Sequence, residues 1–225
     1  MAIVAFDNAN FQSDGASTSA AVKTMLLTAT AGACLLVAIH SNETGTMSAV
    51  AAGGNACGLL GYVVNGVSSS LQVWGLTSPG SGVLTLSARL AGTTQAIWCW
   101  AAATYTGQRT IGGSPFSTVI SASAGGTAIS FNISSSADDM VTAIYGLTGT
   151  QALTVGTGQT ERGSASHGGG MMVWADITGT TGTMTLTATV ASGNAKAVLG
   201  INIFASVSVA AANRIYFCMM MGAGR

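Results

Sequence analysis

Leu84, Leu86, Ala88 and Leu90 alternate with Thr85, Ser87 and Arg89 along one stretch of this chain. A hundred residues later Met184, Leu186, Ala188 and Val190 alternate in the same way with Thr185, Thr187 and Thr189. A strict period of two over seven residues predicts strands with one face buried and one wet. No stretch of comparable length repeats at 3.6 residues, so no amphipathic helix is predicted. The runs "ACLLVAI" (Ala33 to Ile39) and "AIWCWAAA" (Ala96 to Ala103) are apolar throughout and broken at both ends. They read as buried strands and not as membrane spans, which need about 18 apolar residues or more. Thr, Val and Ile suit the pleated backbone. "SPGSG" (Ser78 to Gly82), "TGTTG" (Thr178 to Gly182) and Asn65-Gly66 supply the turns between strands.

The pattern recurs. "VWGLTSPGSGVLTLSARLA" (Val73 to Ala91) and "VWADITGTTGTMTLTATVA" (Val173 to Ala191) are identical at seven of nineteen positions without a gap, including Trp74 and Trp174. Upstream, "LLVAIHS" from Leu35 echoes "MVTAIYG" from Met140; downstream, "AIWCWAAATYTG" stands where the second half has "AVLGINIFAS". Each half, about 20–107 and 125–205, carries the same series of strands. Read alone, each half has too few strands to close a core. The prediction is an all-β, antiparallel two-sheet sandwich over residues 1–205, jelly-roll-like and built from two similar halves, each covering the other. Residues 206–225 follow as a C-terminal arm.

Composition narrows the function. Charged residues are only 6% of the chain, and seven basic residues balance seven acidic ones, against about 25% charged in an ordinary globular protein. No field exists to steer nucleic acid or an anionic membrane, so neither is an expected partner. A neutral surface rich in Gly, Ala, Ser and Thr protects poorly against self-association. That suits a chain packed among neighbours, a homo-oligomer or lattice component. "MAIVAFDNANF" lacks the basic start and the long apolar stretch of a secretory leader, so the sequons at Asn42 and Asn132 carry no weight. Cys34, Cys57, Cys99 and Cys218 form no C-x-x-C pair, and four reduced thiols are expected.

"AFD" near the start, "ATYTG" followed by "SPF", "ADDMVTAIYG", "GTGQTERG" and the closing "AVLGINIFA" follow one another in a characteristic order. This series resembles the jelly-roll-like β-sandwich domains of tailed-phage virion proteins and related bacterial surface proteins, over residues 2 to about 206. The resemblance implies an auxiliary structural protein of a virion assembled in the host cytoplasm. A capsid decoration (cement) protein bound to a major capsid protein fits best, and a tail component is the other form. It brings no catalytic residue, cofactor or metal. The rival from a different class is a carbohydrate- or receptor-binding sandwich on a phage tail or bacterial surface.

The residues that carry chemistry elsewhere form no pattern here. His40 ends an apolar strand, His167 sits in the glycine-rich "GSASHGGG", and no nucleophile elbow or phosphate loop is present. Asp138-Asp139 is read as a turn cap in preference to an ion site. Trp98 and Trp100 share one strand face within an apolar run and are expected to be buried, with Trp74 and Trp174 in packing roles. Tyr62 and Tyr105 remain as possible ligand contacts. The segments 42–58 and 156–170 read as long loops, from which Glu161 and Arg162 would make polar contacts to neighbouring subunits.

The chain closes on "RIYFCMMMGAGR". Burying Ile215, Tyr216, Phe217, Met219, Met220 and Met221 would yield roughly 9–18 kcal/mol gross. Ordering about eleven residues costs on the order of 1–2 kcal/mol each. The terms nearly cancel, so an arm lying on its own surface is marginal. One that also gains ladder hydrogen bonds on a neighbour's sheet edge is stable. These six residues, with Glu161 and Arg162, are the expected subunit interface.

Overall fold

A computed structural model describes residues 2–13, 22–44, 47–66, 69–90, 97–109, 113–191 and 195–206. The closing arm with its six expected contact residues lies outside this set. The described chain is all-β and antiparallel, without helices. The first half contributes β1 (Ala5–Gln12), β2 (Val22–Ala29), β3 (Cys34–Ser41), β4 (Met47–Ala52), β5 (Asn55–Ala56), β6 (Gly58–Asn65), β7 (Ser69–Leu76), β8 (Gly82–Leu90) and β9 (Trp98–Thr106). The second contributes β10 (Ile120–Ala124), β11 (Ala128–Ser135), β12 (Met140–Thr148), β13 (Leu153–Val155), β14 (Thr160–His167), β15 (Gly170–Thr178), β16 (Gly182–Val190) and β17 (Lys196–Ile203).

Each half closes its own core, contrary to the sequence reading that gave it too few strands. In the first half a five-stranded sheet, β1-β9-β3-β7-β6, is covered by a four-stranded sheet, β2-β8-β4-β5. In the second, β10-β17-β12-β15-β14 is covered by β11-β16-β13. The five-stranded orders correspond one to one, the outer sheets match except that β5 has no counterpart, and β8 and β16 occupy matching places. The two five-stranded sheets then face each other. β6 packs on β10 and β17, and β14 packs on β1 and β9, the reciprocal pattern of a two-fold. The sandwich architecture therefore holds with four layers, outer–inner–inner–outer. Leu35, Val37, Ile39, Trp98, Trp100 and Leu86 fill the first half. Val141, Ala143, Tyr145, Phe131 and Leu186 fill the second. Leu36, Ala38, Tyr105, Ile144, Trp174 and Leu199 fill the seam between them.

Layering explains the apolar runs. Strands of the inner sheets are covered on both faces, so β3 and β17 are buried at all eight positions and lose their alternation. β8 and β16 belong to outer sheets and keep it: Leu86 and Ala88 face inward exactly as their counterparts Leu186 and Ala188 do.

The gapless repeat misleads in one respect. Trp74 points into the core of its own half, whereas Trp174 points into the seam. Val73 and Val173 are exchanged in the same sense. A one-residue slip reverses every side chain of a strand. The slip is absorbed before β8 and β16, because β7 ends at Leu76 and β15 runs on to Thr178. The tryptophans thus occupy corresponding strands on opposite faces.

Candidate functional site

The seam holds two clusters of buried polar chemistry. The first joins four strands. Arg162 on β14 grips Asp176 on β15 with two parallel bonds, Nε to Oδ2 at 2.8 Å and a terminal nitrogen to Oδ1 at 2.8 Å. The Tyr105 hydroxyl on β9 donates to Asp176 Oδ2 at 3.3 Å and accepts from Trp174 Nε1 at 3.0 Å. The Arg162 guanidinium also stacks 4.3 Å above the Phe6 ring, and Phe6 meets Tyr105 edge to face. Asp176 is 1% exposed. Burial pushes its carboxyl above the ordinary carboxylate range, and the bonds from Arg162 and Tyr105 pull part of that back. Tyr105 is raised well above a normal phenol, first by burial and then by the Asp176 charge.

This cluster corrects two expectations. Residues 156–170 are not a loop, because most of them form β14, and Arg162 is committed to its own chain; Glu161 beside it is exposed. Tyr105 is no surface ligand contact, being wholly buried. Tyr62 donates its hydroxyl to the Thr44 carbonyl. The segment 42–58 likewise contains β4 and β5.

The second cluster lies at one end of the seam. His40 is the last residue but one of the inner-sheet strand β3, His167 ends β14 across the seam, and Cys99 lies on β9 directly opposite His40 in the β3–β9 register. His167 was read as lying in a flexible loop; it closes a strand and is 2% exposed. The imidazoles stack with centroids 5.0 Å apart, and His40 Nδ1 lies 2.9 Å from His167 Nε2. The protons can be placed. Gly169 N–H donates to His167 Nδ1 at 3.2 Å, so His167 carries its proton on Nε2 and donates to His40 Nδ1. His40 then carries its proton on Nε2, which is buried and has no partner. Burial, reinforced by its neighbour, lowers the His40 pKa to about 3; burial and then the Lys23 charge lower that of His167 to about 4. Both rings are neutral at pH 7. The Cys99 thiol donates to the Ala165 carbonyl at 3.5 Å and is pushed up to about 12 by burial, with the nearby Lys23 ammonium pulling part of that back.

Glycines make room for the rings. A Cβ at Gly146 would lie 2.7 Å from His40 Cδ2, and one at Gly170 would lie 2.6 Å from His40 Cε1. With both sides buried, Gly146→Ala is expected to cost about 1–3 kcal/mol through overpacking. A denaturation midpoint lowered accordingly, with an unchanged denaturant slope, checks this.

Other candidates resolve as structure. Asp139 caps a turn and anchors the chain end. Its carboxylate accepts from Ser136 N at 2.9 Å, Asn202 Nδ2 at 2.8 Å and Ala205 N at 2.8 Å. Asp138 takes a positive φ of 74° in the same turn. Trp98 and Trp100 are wholly buried and Trp74 nearly so, so none offers a ring face for a sugar to stack on. Cys34, Cys57 and Cys99 are free and buried; Cys218 lies outside the described residues. Among the described residues no helix is long and apolar enough to cross a membrane.

Neither cluster announces itself in the sequence. Positions 40, 99 and 167 share no spacing motif; the β3–β9 register sets Cys99 opposite His40, and the pairing of the halves brings His167 to them. No family model, curated protein or solved structure matches this chain.

Proposed function

We propose that this chain is a non-enzymatic structural protein of a virion, a decoration protein that binds a major capsid protein and further copies of itself. The observation that carries the reading is the chemistry of the outermost surfaces. On the second outer sheet the exposed positions of β16 are Thr183, Thr185, Thr187 and Thr189, beside Ser130, Asn132 and Ser134 of β11. On the first, Val22, Leu26 and Val83 are exposed among threonines. A hydroxyl-bearing, nearly chargeless face sheds water at lower cost than an ionic one and can exchange its hydrogen bonds for those of a neighbour. Each such contact is weak, and a symmetric lattice multiplies it. The order of sequence motifs that resembles phage sandwich domains points the same way.

In this reading residues 206–225 form the arm that adds to a neighbouring subunit's sheet edge, through Ile215, Tyr216, Phe217, Met219, Met220 and Met221. Glu161 and Arg162 stay candidate rim contacts, Arg162 from its place beside Asp176. The described chain is anchored up to its last residues, with Ala205 N held by Asp139 and Ser206 N by the Gly107 carbonyl. Deleting residues 207–225 is therefore expected to leave the melting temperature within a few degrees of the full chain and to abolish co-sedimentation with assembled shells. Undiminished co-sedimentation sinks the arm; absence of the full chain from purified particles sinks the virion reading itself.

A further inference from the structure

Three donor atoms, one each from His40, Cys99 and His167, lie within 4.8 Å of one another. They come from three strands in two facing sheets, and the three residues are buried. The Cys99 thiol makes one weak bond in the seam, donating to the Ala165 carbonyl at 3.5 Å. The pair of rings leaves one imidazole N–H unsatisfied in the interior, a cost on the order of 1–3 kcal/mol. The pocket that admits the rings depends on two positions, Gly146 and Gly170, where a side chain would intrude. A purely apolar seam would avoid all three features.

We propose that His40 Nδ1, His167 Nε2 and the Cys99 sulfur bind one soft monovalent metal ion, Cu⁺. Thiolate and imidazole are the donors that favour copper and zinc. Bond lengths of about 2.0–2.3 Å to a trigonal ion require donors roughly 3.5–3.8 Å apart. The two nitrogens, 2.9 Å apart, open by about half an ångström, and the sulfur, within 4.8 Å of them, closes by at most about one. Charge and coordination number select the ion. Cu⁺ with one thiolate and two neutral imidazoles has no net charge. Zn²⁺ would leave the centre at +1 in a buried site that already feels the Lys23 ammonium, which bonds the Trp98 carbonyl at 3.3 Å. Zn²⁺ also prefers a fourth ligand, and no fourth His, Cys, Asp or Glu joins the group among the described residues.

The proton balance is simple. Cys99 releases its thiol proton, directed in the metal-free chain at the Ala165 carbonyl, to solvent as the sulfur–copper bond forms. The His167 proton moves from Nε2 to Nδ1, and Gly169 N–H turns away. Gly168 and Gly169 are exposed in the β14–β15 turn, so this adjustment is cheap and the turn is the entry path.

The test uses the full chain, reduced and stripped of metal, titrated with Cu⁺ against a chromogenic Cu⁺ chelator. One equivalent retained, a raised melting temperature, and X-ray absorption showing one sulfur and two nitrogen neighbours support the site. Cys99→Ser and His167→Gln should each lose that equivalent, and a Cys57→Ser/Cys218→Ser double variant should keep it. No retained copper, sulfur-only coordination, or copper kept by Cys99→Ser and lost by the double variant overturns the proposal. So does a larger melting-temperature rise with Zn²⁺ than with Cu⁺. The absorption measurement needs only the wild-type chain and decides the matter if a variant fails to fold.

Discussion

Acidifying the metal-free protein from pH 6.5 to pH 4 is expected to remove several kcal/mol of its stability. The cause is the histidine pair. His40 and His167 hold pKa values near 3 and near 4 in the folded chain, both below the ordinary 6.5. Between pH 6.5 and 4 the unfolded chain therefore binds two protons that the folded chain refuses. Stability is fully present above 6.5 and falls as pH drops, with a slope of up to about 2.7 kcal/mol per pH unit when both rings contribute. The groups around the pair reinforce the sign. Lys23 on β2 is cationic and Cys99 on β9 is neutral, so no anion of the cluster welcomes an imidazolium. Asp176 works in the opposite direction, because its raised pKa favours the folded state between 3.8 and that raised value. It is one group against two. Urea midpoints measured at half-unit steps between pH 7 and pH 4 check the prediction. His167→Gln should roughly halve the slope in that window, and a flat profile would mean that the rings are not buried as neutral species.

How much of this could be read from the chain follows from what each sheet faces. The outer sheets have one wet face, so β8 and β16 alternate and their registers and boundaries are legible. The inner sheets have none. "ACLLVAI" and "AIWCWAAA" were legible as buried strands, but a run that is apolar on both faces does not say which face meets which partner. Such runs do carry a signal that went unused. A strand buried on both sides needs a layer on each side, so a two-sheet sandwich cannot account for them. Four layers can. The same loss of alternation hid the slip at Trp74 and Trp174, because a run without polar positions matches its repeat equally well in either register.

The polar clusters were illegible for a different reason. Arg162 looked like a loop residue because "GTGQTERGSASHGGG" is rich in Gly and Ser, which are ordinary turn residues. In the structure they are small residues on a strand passing close to another layer. A Cβ at Gly163, for instance, would lie 2.6 Å from the Phe11 ring. Small side chains at a crowded seam and small side chains in a turn have the same composition. His40, Cys99 and His167 are far apart in sequence, and their meeting is a property of how the halves dock.

Removing the Arg162 side chain is the second large effect. Arg162→Ala strands the Asp176 carboxylate, which is 1% exposed and keeps only the long Tyr105 hydroxyl bond. Breaking one side of a buried pair typically costs about 3–5 kcal/mol, more than the net worth of the pair, because an uncompensated charge remains. The cation over Phe6 is lost with it. A shift of about 2–4 °C per kcal/mol in a chain of this size makes the expected fall in melting temperature roughly 6–20 °C. Three comparisons separate stranded charge from lost packing. Adding Asp176→Asn to Arg162→Ala should recover much of the loss, since a neutral amide is cheaper to bury. Arg162→Lys should recover only part, because an ammonium cannot make the two parallel bonds. The deficit of Arg162→Ala relative to wild type should also shrink as pH falls, since without its partner Asp176 takes up a proton more readily and the buried charge disappears. A deficit that stays constant with pH and survives Asp176→Asn would place the whole effect in packing against Phe6.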